Sequence, residues 1–297
     1  MAYSAPVTSH LANELSAAIE AAQKASRVIM QIYESTSAGL RMKGDGSPVT
    51  CADLSADKTI REVIGARFPN DAMMTEETES DDARFLTSRV WIVDPMDGTA
   101  QFVKRTGEFD VMIALTIDGR PAVAVTAQPT TGLIHAAVVG DGAWRIHGGH
   151  IQRFTIKPAL PPPVLVSSKW HQGPKGWETV LDVAQAVGAS EPIILDIGFQ
   201  PRAFDPSQRN YDAFIGLWHP PGESTVQEWD VAATDLIIHE AGGRVTNLWG
   251  QEFSYNNRDT SIIGGLVISA SKELHEAVIS TLGPLLGGTN QTVARNY

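Results

Sequence analysis

The 297-residue sequence predicts a mixed fold of helices and strands in two halves, an α+β half over residues 1–158 and an α/β half over residues 159–297. Three runs rich in Val, Ile and Ala follow one another in the first half, separated by short turns that contain Gly and Pro, which is typical of an antiparallel meander. In the second half, short apolar runs alternate with helical patterns, which favours an α/β arrangement. The Pro-rich stretch Ala159-Leu160-Pro161-Pro162-Pro163 is the strongest interruption of regular secondary structure and is the candidate boundary between the two halves.

The first half begins with helices. Apolar residues recur at helical spacing over residues 9–35, which predicts a long amphipathic helix, and residues 52–67 predict a second. Between them, the Gly and Pro of residues 43–50 mark a hairpin or a loop. A brief strand is expected at residues 73–75, just before two glutamates. The other strands predicted in this half cover residues 90–93, 111–117, 122–127 and 133–139.

The second half combines strands and helices. Its polar, Pro-containing region 200–211 is interpreted as an exposed loop. Asp230 directly precedes an amphipathic pattern, and taken alone it is most often an N-terminal helix cap. Helices are predicted at 176–187, 231–241 and 271–282, and strands at 164–167, 193–197 and 213–217.

Composition narrows the range of partners and compartments. The chain has 23 basic and 34 acidic residues and a net charge of −11, which argues against polymeric nucleic acid as a partner. A small anionic substrate would need cations to bridge the repulsion, which agrees with metal dependence. The single cysteine, Cys51, excludes an intramolecular disulfide and fits a reducing compartment. With no signal-peptide pattern and no apolar run of membrane-spanning length, a cytoplasmic protein is predicted.

One motif combines the features of a metal-assisted phosphate site. It reads Trp91-Ile92-Val93-Asp94-Pro95-Met96-Asp97-Gly98-Thr99, an apolar strand that ends in two carboxylates three residues apart. Pro95 removes the next ladder donor, and Gly98 permits a backbone conformation or close approach that a side chain would block. The two aspartates and the Met96 carbonyl could converge on one hard cation, with the amides of Gly98 and Thr99 free for an anion.

The other candidate residues are weak when taken singly. Glu76 and Glu77 are more often a solvated pair than a site, and Lys43 and Asp53 are ordinary surface residues in isolation. Cys51 has no basic neighbour in sequence to activate it and is interpreted as a packed small side chain. Whether these residues are functional therefore has to be judged from the motifs that contain them.

Three motifs in a fixed order resemble the inositol monophosphatase superfamily of Mg²⁺-dependent, lithium-sensitive phosphatases. They are Thr75-Glu76-Glu77, the Trp91–Thr99 motif, and Glu228-Trp229-Asp230-Val231-Ala232-Ala233 with Glu240-Ala241-Gly242-Gly243. The resemblance extends, with gaps, over roughly residues 10–285. It implies a five-layer αβαβα sandwich, a homodimer, and hydrolysis of a small phosphorylated metabolite without a phosphoenzyme.

The resemblance also implies a metal-ligand set for two or three Mg²⁺ ions. Glu76, Asp94 and the Met96 carbonyl would hold the first ion. Asp94, Asp97 and Asp230 would hold the second, so that the second half of the chain supplies one ligand.

The same resemblance assigns catalytic and binding roles. Glu76 and Thr99 would position the attacking water, and Asp53 would polarise the Thr99 hydroxyl. The amides of Gly98 and Thr99 would bind phosphate. Glu223 and Lys43 are the candidate substrate-binding residues.

The substrate stays open at this level. The segment Phe102-Val103-Lys104-Arg105-Thr106-Gly107-Glu108-Phe109 is similar to the branch that acts on 3′-phosphoadenosine 5′-phosphate. Glu223, in contrast, lies where inositol phosphatases place a sugar-hydroxyl acceptor. Fructose 1,6-bisphosphate, histidinol phosphate and a non-catalytic metal- and phosphate-binding regulator are the alternatives. A phosphatase with an aspartyl nucleophile is disfavoured, because its Asp-x-Asp-Gly-Thr signature is one residue shorter than the spacing here.

Overall fold

The computed structural model describes residues 10–35, 41–42, 48–78, 81–157, 161–168, 176–195, 198–208, 211–218 and 226–287. These residues fall into two compact units, one within Met1–Phe154 and Trp229–Ile237, the other within Thr155–Glu228 and Ile238–Tyr297. The helices are α1 (Ala12–Glu34), α2 (Cys51–Arg67), α3 (Thr99–Val103), α4 (Gly176–Ala186), α5 (Glu228–Glu240) and α6 (Lys272–Leu285). The strands are β1 (Arg41–Met42), β2 (Pro48–Val49), β3 (Ala72–Thr75), β4 (Arg89–Asp97), β5 (Asp110–Ile117), β6 (Arg120–Gln128), β7 (Leu133–Val138), β8 (Gly142–His147), β9 (His150–Phe154), β10 (Leu165–Ser168), β11 (Ile193–Leu195), β12 (Ala213–Leu217), β13 (Arg244–Asn247) and β14 (Gly265–Ser269).

The first unit contains a seven-stranded sheet in the order β3-β4-β5-β6-β7-β8-β9. Strands β3 and β4 are parallel, and every later neighbour pair is antiparallel, so the predicted meander is confirmed. The meander continues through β8 and β9, which the sequence analysis did not predict. Both strands carry polar and charged residues such as Arg145 and Arg153, which weaken the hydrophobic pattern that identifies a strand.

Helices α1 and α2 pack with this sheet in one hydrophobic core, formed with the buried side chains of β4 to β8. The long helix predicted at the N-terminus is confirmed, with the buried stripe of Leu15, Ala18, Ala22 and Ile29 at helical spacing. The start of α2 is fixed by a capping box, in which the Asp53 carboxylate accepts from the Thr50 amide at 2.7 Å. Before α2, where the sequence predicts a hairpin or a loop, the short strands β1 and β2 pair antiparallel.

Strand β4 does not end where the sequence analysis placed it. The predicted strand stopped at Val93, whereas β4 runs on to Asp97 with a break in its register. Asp94 pairs with Met112 and Asp97 pairs with Asp110, so three steps on β4 oppose two on β5. This is a β-bulge with one extra residue, a position where Pro95 is tolerated because the local ladder is already interrupted.

The second unit contains a five-stranded sheet in the order β11-β10-β12-β14-β13. The strands β10, β11 and β12 and the helices α4 and α6 were predicted and are confirmed, whereas β13 and β14 were missed. The interpretation of residues 200–211 as an exposed loop is wrong for residues 200–205, whereas residues 206–208 are exposed as expected. Residues Pro201–Phe204 form a 3₁₀ helix, and Phe204 is fully buried with its ring centroid 5.3 Å from that of Tyr211.

Helix α5 corrects the interpretation of Asp230. This residue is the third residue of α5 and not its cap. The apolar side chains of α5 are buried around its circumference, including Val231, Ala232, Leu236 and Ile237, as expected for a helix without a solvent-exposed face. Among the described residues, no helix has both the length and the apolar character needed to cross a membrane.

Candidate metal centre

Three carboxylates converge in the first unit, two from one short motif and one from a distant part of the sequence. Asp94, Asp97 and Asp230 each offer an oxygen, and these oxygens lie within 4.8 Å of one another. Asp94 and Asp97 flank the bulge in β4, and Asp230 lies on the first turn of α5. The second ligand set implied by the family resemblance is therefore assembled in one place.

Asp94 lies at the centre of this cluster. Its side chain is 2% exposed, and one carboxylate oxygen accepts a hydrogen bond from the Met96 amide at 2.9 Å. Burial raises the pKa of Asp94 well above its usual range, and repulsion from Glu76, Asp97 and Asp230 raises it further. The Asp94 carboxyl group is thus buried beside three partly exposed acids whose charges disfavour its ionised form.

Glu76 is not one of the three converging acids, but the parallel pairing of β3 and β4 places it beside the strand that carries Asp94. Its amide donates to the Val93 carbonyl at 3.1 Å, one residue before Asp94. The turn after Glu76 is closed by the Thr75 hydroxyl, which accepts from the Thr78 amide at 3.1 Å. The Thr78 hydroxyl in turn donates to the Asp57 carboxylate at 2.8 Å. Sequence analysis missed Asp57, because nothing in the local pattern of α2 distinguishes it from a surface acid.

Asp53 and Thr99 form the second hydrogen-bonded group of the site. The Thr99 hydroxyl donates to one Asp53 oxygen at 2.8 Å and lies 3.4 Å from the Met96 carbonyl. The other Asp53 oxygen accepts from the amide and the hydroxyl of Thr50, both at 2.7 Å. Burial raises the pKa of Asp53, the hydrogen bonds from Thr50 and Thr99 oppose that rise, and the charge of Glu76 adds to it.

Gly98 makes the turn between β4 and α3 possible. Its φ of +93° lies in the left-handed region, and a Cβ atom at this position would lie 2.8 Å from the Glu108 carbonyl oxygen. The position therefore requires glycine on two grounds, the backbone conformation and the close approach of another segment. The Phe102 amide donates to the Gly98 carbonyl at 2.9 Å, which opens α3 directly after the turn.

The start of α5 is held by a side chain that the sequence analysis quoted only as part of a motif. Glu228 is 1% exposed, and its carboxylate accepts from the amides of Asn256 and Asn257 at 2.6 and 2.9 Å. The Asn257 side chain adds a third hydrogen bond at 2.7 Å. A buried carboxylate with three donors is well satisfied, and it fixes the first residue of the helix that carries Asp230.

The donor set fits a hard divalent cation. The candidate ligands are carboxylate oxygens, which Mg²⁺ prefers together with carbonyl oxygens and water. A cation bound between these acids would offset the repulsion that helps to raise the pKa of Asp94. The residues present are therefore compatible with a magnesium site. Two predicted substrate-binding residues, Lys43 and Glu223, lie outside the described residues.

Known proteins share this fold and sequence pattern. The family model for the inositol monophosphatase family matches residues 10–179 and 208–285. The 3′(2′),5′-bisphosphate nucleotidase CysQ of Escherichia coli K12 is 28% identical over 254 residues, which cover 84% of this chain and 96% of the relative. The histidinol-phosphatase of Chlorobaculum parvum is 28% identical over 270 residues, 91% of this chain and 96% of the relative.

Among solved structures, CysQ from Bacteroides thetaiotaomicron, described as a bacterial member of the inositol monophosphatase family, is similar with a TM-score of 0.72. It is 28% identical, and the match covers 88% of this chain and 98% of that chain. The predicted fold class, mixed α/β with two sheets of this family's type, is thereby confirmed.

Proposed function

The chain belongs to the inositol monophosphatase family and is a phosphatase, and from this premise we propose that it is a Mg²⁺-dependent phosphomonoesterase acting on a small phosphorylated metabolite. The observation that carries the proposal is the convergence of Asp94, Asp97 and Asp230, whose carboxylate oxygens lie within 4.8 Å of one another. In the proposed reaction, water attacks phosphorus directly and no phosphoenzyme forms.

We assign the candidate ligands to two Mg²⁺ ions as the family resemblance implies. Asp94, Asp97 and Asp230 would hold one Mg²⁺, and Glu76, Asp94 and the Met96 carbonyl would hold another. Bound there, Mg²⁺ supplies neutralisation of phosphate charge and a more acidic water. The support for Glu76 is electrostatic, because its charge acts on both Asp94 and Asp53.

Thr99, Asp53 and Glu76 would orient the attacking water through hydrogen bonds. The Thr99 hydroxyl donates its hydrogen bond to Asp53, with 2.8 Å between the two oxygens. The lone pairs of the Thr99 oxygen therefore stay available to accept a hydrogen bond from water. Glu76, on the adjacent strand end, would accept the other proton of that water. The amides of Gly98 and Thr99 would bind phosphate, in a turn whose conformation only glycine adopts without strain.

For the substrate, we propose 3′-phosphoadenosine 5′-phosphate or inositol monophosphate first. The nucleotide is supported by the names of the CysQ relatives and by the similarity of residues 102–109 to that branch. Histidinol phosphate is the second candidate, because the Chlorobaculum parvum relative carries that activity in its name. Homodimer formation, lithium inhibition and a cytoplasmic location are further parts of the proposal, supported by the family resemblance and, for the last, by the single cysteine.

The decisive experiment is Mg²⁺-dependent phosphate release from a substrate panel. It would contain 3′-phosphoadenosine 5′-phosphate, inositol 1-phosphate, histidinol phosphate and fructose 1,6-bisphosphate, each with and without chelator. One substrate with a kcat/KM well above the others, and no release after chelation, would support the proposal. Absence of release from all four at saturating Mg²⁺, with Mg²⁺ still bound, would contradict it and favour a metal- and phosphate-binding regulator.

A further inference from the structure

Helix α2 contacts two neighbouring strand ends through two acids one helical turn apart. The Asp53 carboxylate accepts a hydrogen bond from the hydroxyl of Thr99, which follows β4, with 2.8 Å between the oxygens. Asp57 accepts the hydroxyl of Thr78, which follows β3, at 2.8 Å. Since β3 and β4 are parallel neighbours, the segments after them lie at the same edge of the sheet. The same helix therefore contacts the turn that carries Glu76 and the segment that follows Asp94 and Asp97.

The contact through Asp57 leads directly to Glu76. Thr78 is bonded twice, by its amide to the Thr75 hydroxyl at 3.1 Å and by its hydroxyl to Asp57. These two bonds close the short turn from Thr75 to Thr78, which contains Glu76 and Glu77. The amide of Glu76 is fixed separately, on the Val93 carbonyl at 3.1 Å. Glu76 is thus held on its N-terminal side by the sheet and on its C-terminal side by α2.

The burial of Asp57 is costly for a residue with a purely structural purpose. Its side chain is 6% exposed, and its Oδ1 atom has no hydrogen-bond partner among the described residues. A buried acceptor without a partner lowers stability, and an alanine or leucine would avoid that cost. A carboxylate, however, can only accept, so the Thr78 hydroxyl has to donate to it and is held in one orientation.

We propose that Asp57 is a positioning residue for the metal centre, which acts through the Thr78 hydroxyl to hold the turn that carries Glu76. The inference rests on the proposed function in one respect, since it takes Glu76 as a metal ligand. Groups that hydrogen-bond a metal ligand directly typically contribute about 10–100-fold to metal affinity or activity, and the low end of that range applies to a residue that acts through a neighbouring turn. Asp57 and Thr78 do not touch the reacting atoms, so their effect should be on metal affinity first.

The test compares three threonine variants. Thr78→Val removes the hydroxyl and keeps the shape, Thr78→Ser keeps the hydroxyl, and Thr59→Val is the matched control. Thr59 lies on α2 as well, but its hydroxyl donates at 2.7 Å to the Ser55 carbonyl of the same helix. The readout is the rise in thermal-unfolding midpoint with added Mg²⁺, which reports metal affinity without turnover.

The half-saturating Mg²⁺ concentration should rise about tenfold in Thr78→Val, the low end of the range for such partners, and stay near wild type in Thr78→Ser and Thr59→Val. In the double variant with Asp57→Ala, the two substitutions should not add, because both remove the same hydrogen bond. A Thr78→Val protein with a lowered midpoint in the absence of metal but an unchanged Mg²⁺ response would overturn the inference and leave a structural role alone.

Two further results keep this inference separate from the proposed function. If wild type releases no phosphate from any substrate but Thr78→Val still weakens Mg²⁺ binding, the inference holds and the enzymatic proposal fails. If Thr78→Val does not fold, Asp57→Ala and Asp57→Asn decide, because alanine removes the acceptor of the Thr78 hydroxyl and asparagine keeps an acceptor oxygen without the charge. Asp57→Ala should bind Mg²⁺ more weakly than Asp57→Asn, and equal Mg²⁺ affinity in the two variants would contradict a role that acts through the Thr78 hydrogen bond.

Discussion

Lowering the pH from 7 to 5 should destabilise the fold through one buried histidine. His275 of α6 is 5% exposed, and its ring nitrogens lie 2.8 Å from the Thr246 hydroxyl and 3.2 Å from the Ser269 hydroxyl. Burial lowers the pKa of His275 to about 4, with smaller contributions from the charges of His239 and Arg244. The folded protein therefore keeps this ring neutral where an exposed histidine would take up a proton.

The sign and the size of the change in folding stability with pH follow from the different proton affinity of His275 in the folded and unfolded states. The unfolded chain binds the proton below a pKa of 6.5 and the folded protein only below about 4, so the stability contribution is complete above pH 6.5 and is lost as the pH falls towards 4. A pKa difference of this size corresponds to about 3 kcal/mol in full, at about 1.4 kcal/mol for each pH unit. Roughly 2 kcal/mol of it should be lost between pH 7 and pH 5.

The assay is urea-induced unfolding at a series of pH values for wild type and His275→Gln. Glutamine can still bond the two hydroxyls but does not titrate, so the variant should lose less stability on acidification, by about 2 kcal/mol at pH 5. His150→Gln serves as the control, because His150 is exposed on β9. If wild type and His275→Gln lose stability in parallel between pH 7 and pH 5, the account of a neutral buried ring is wrong.

Three further predictions concern the site. Asp94→Asn should lose Mg²⁺-dependent turnover by several orders of magnitude, yet its unfolding midpoint without metal should rise, because the substitution removes a carboxyl group whose ionised form is disfavoured by burial and by repulsion from Glu76, Asp97 and Asp230; a lower midpoint in calorimetry would contradict the electrostatic argument. Gly98→Ala should cost about 1–2 kcal/mol from the left-handed backbone alone, with more from the contact with the Glu108 carbonyl, and an unfolding curve identical to wild type would show that the turn is not constrained. Thr99→Val should lower kcat by about 100-fold or more, whereas Thr99→Ser should retain most of it, and equal rates for the two variants would remove the hydroxyl from the mechanism.

Local patterns carried most of the fold prediction. The apolar spacing of α1 and the runs of β5, β6 and β7 identify their elements, because a helix face and a buried strand each impose a period on the sequence. Strands β8 and β9 were missed because their exposed faces carry charge. At Pro95 the local rule gave the wrong boundary, since a proline that ends a regular strand is also accepted inside a bulge.

The site was predictable only as far as its motifs extend. Asp94 and Asp97 stand in one short motif, whereas Asp230 alone looked like a helix cap and gained its role from the resemblance. Asp57 and Glu228 could not be found in this way, because their partners lie 21 and about 28 residues away and the contacts exist only in the folded chain. Residues that orient ligands leave a weak trace in a single sequence, since any acid on a helix shows the same pattern.

The extra residue in β4 has a consequence for which way the two aspartates face. Side chains of a regular strand alternate between the faces of a sheet, so residues three apart, such as Asp94 and Asp97, would point in opposite directions. Their partners Met112 and Asp110 are two apart and share a face, which places both aspartates on that same face. The irregularity thus restores the parity that the odd spacing would break. In a regular β4 with the same sequence, one of the two carboxylates would lie on the opposite face of the sheet, away from Asp230.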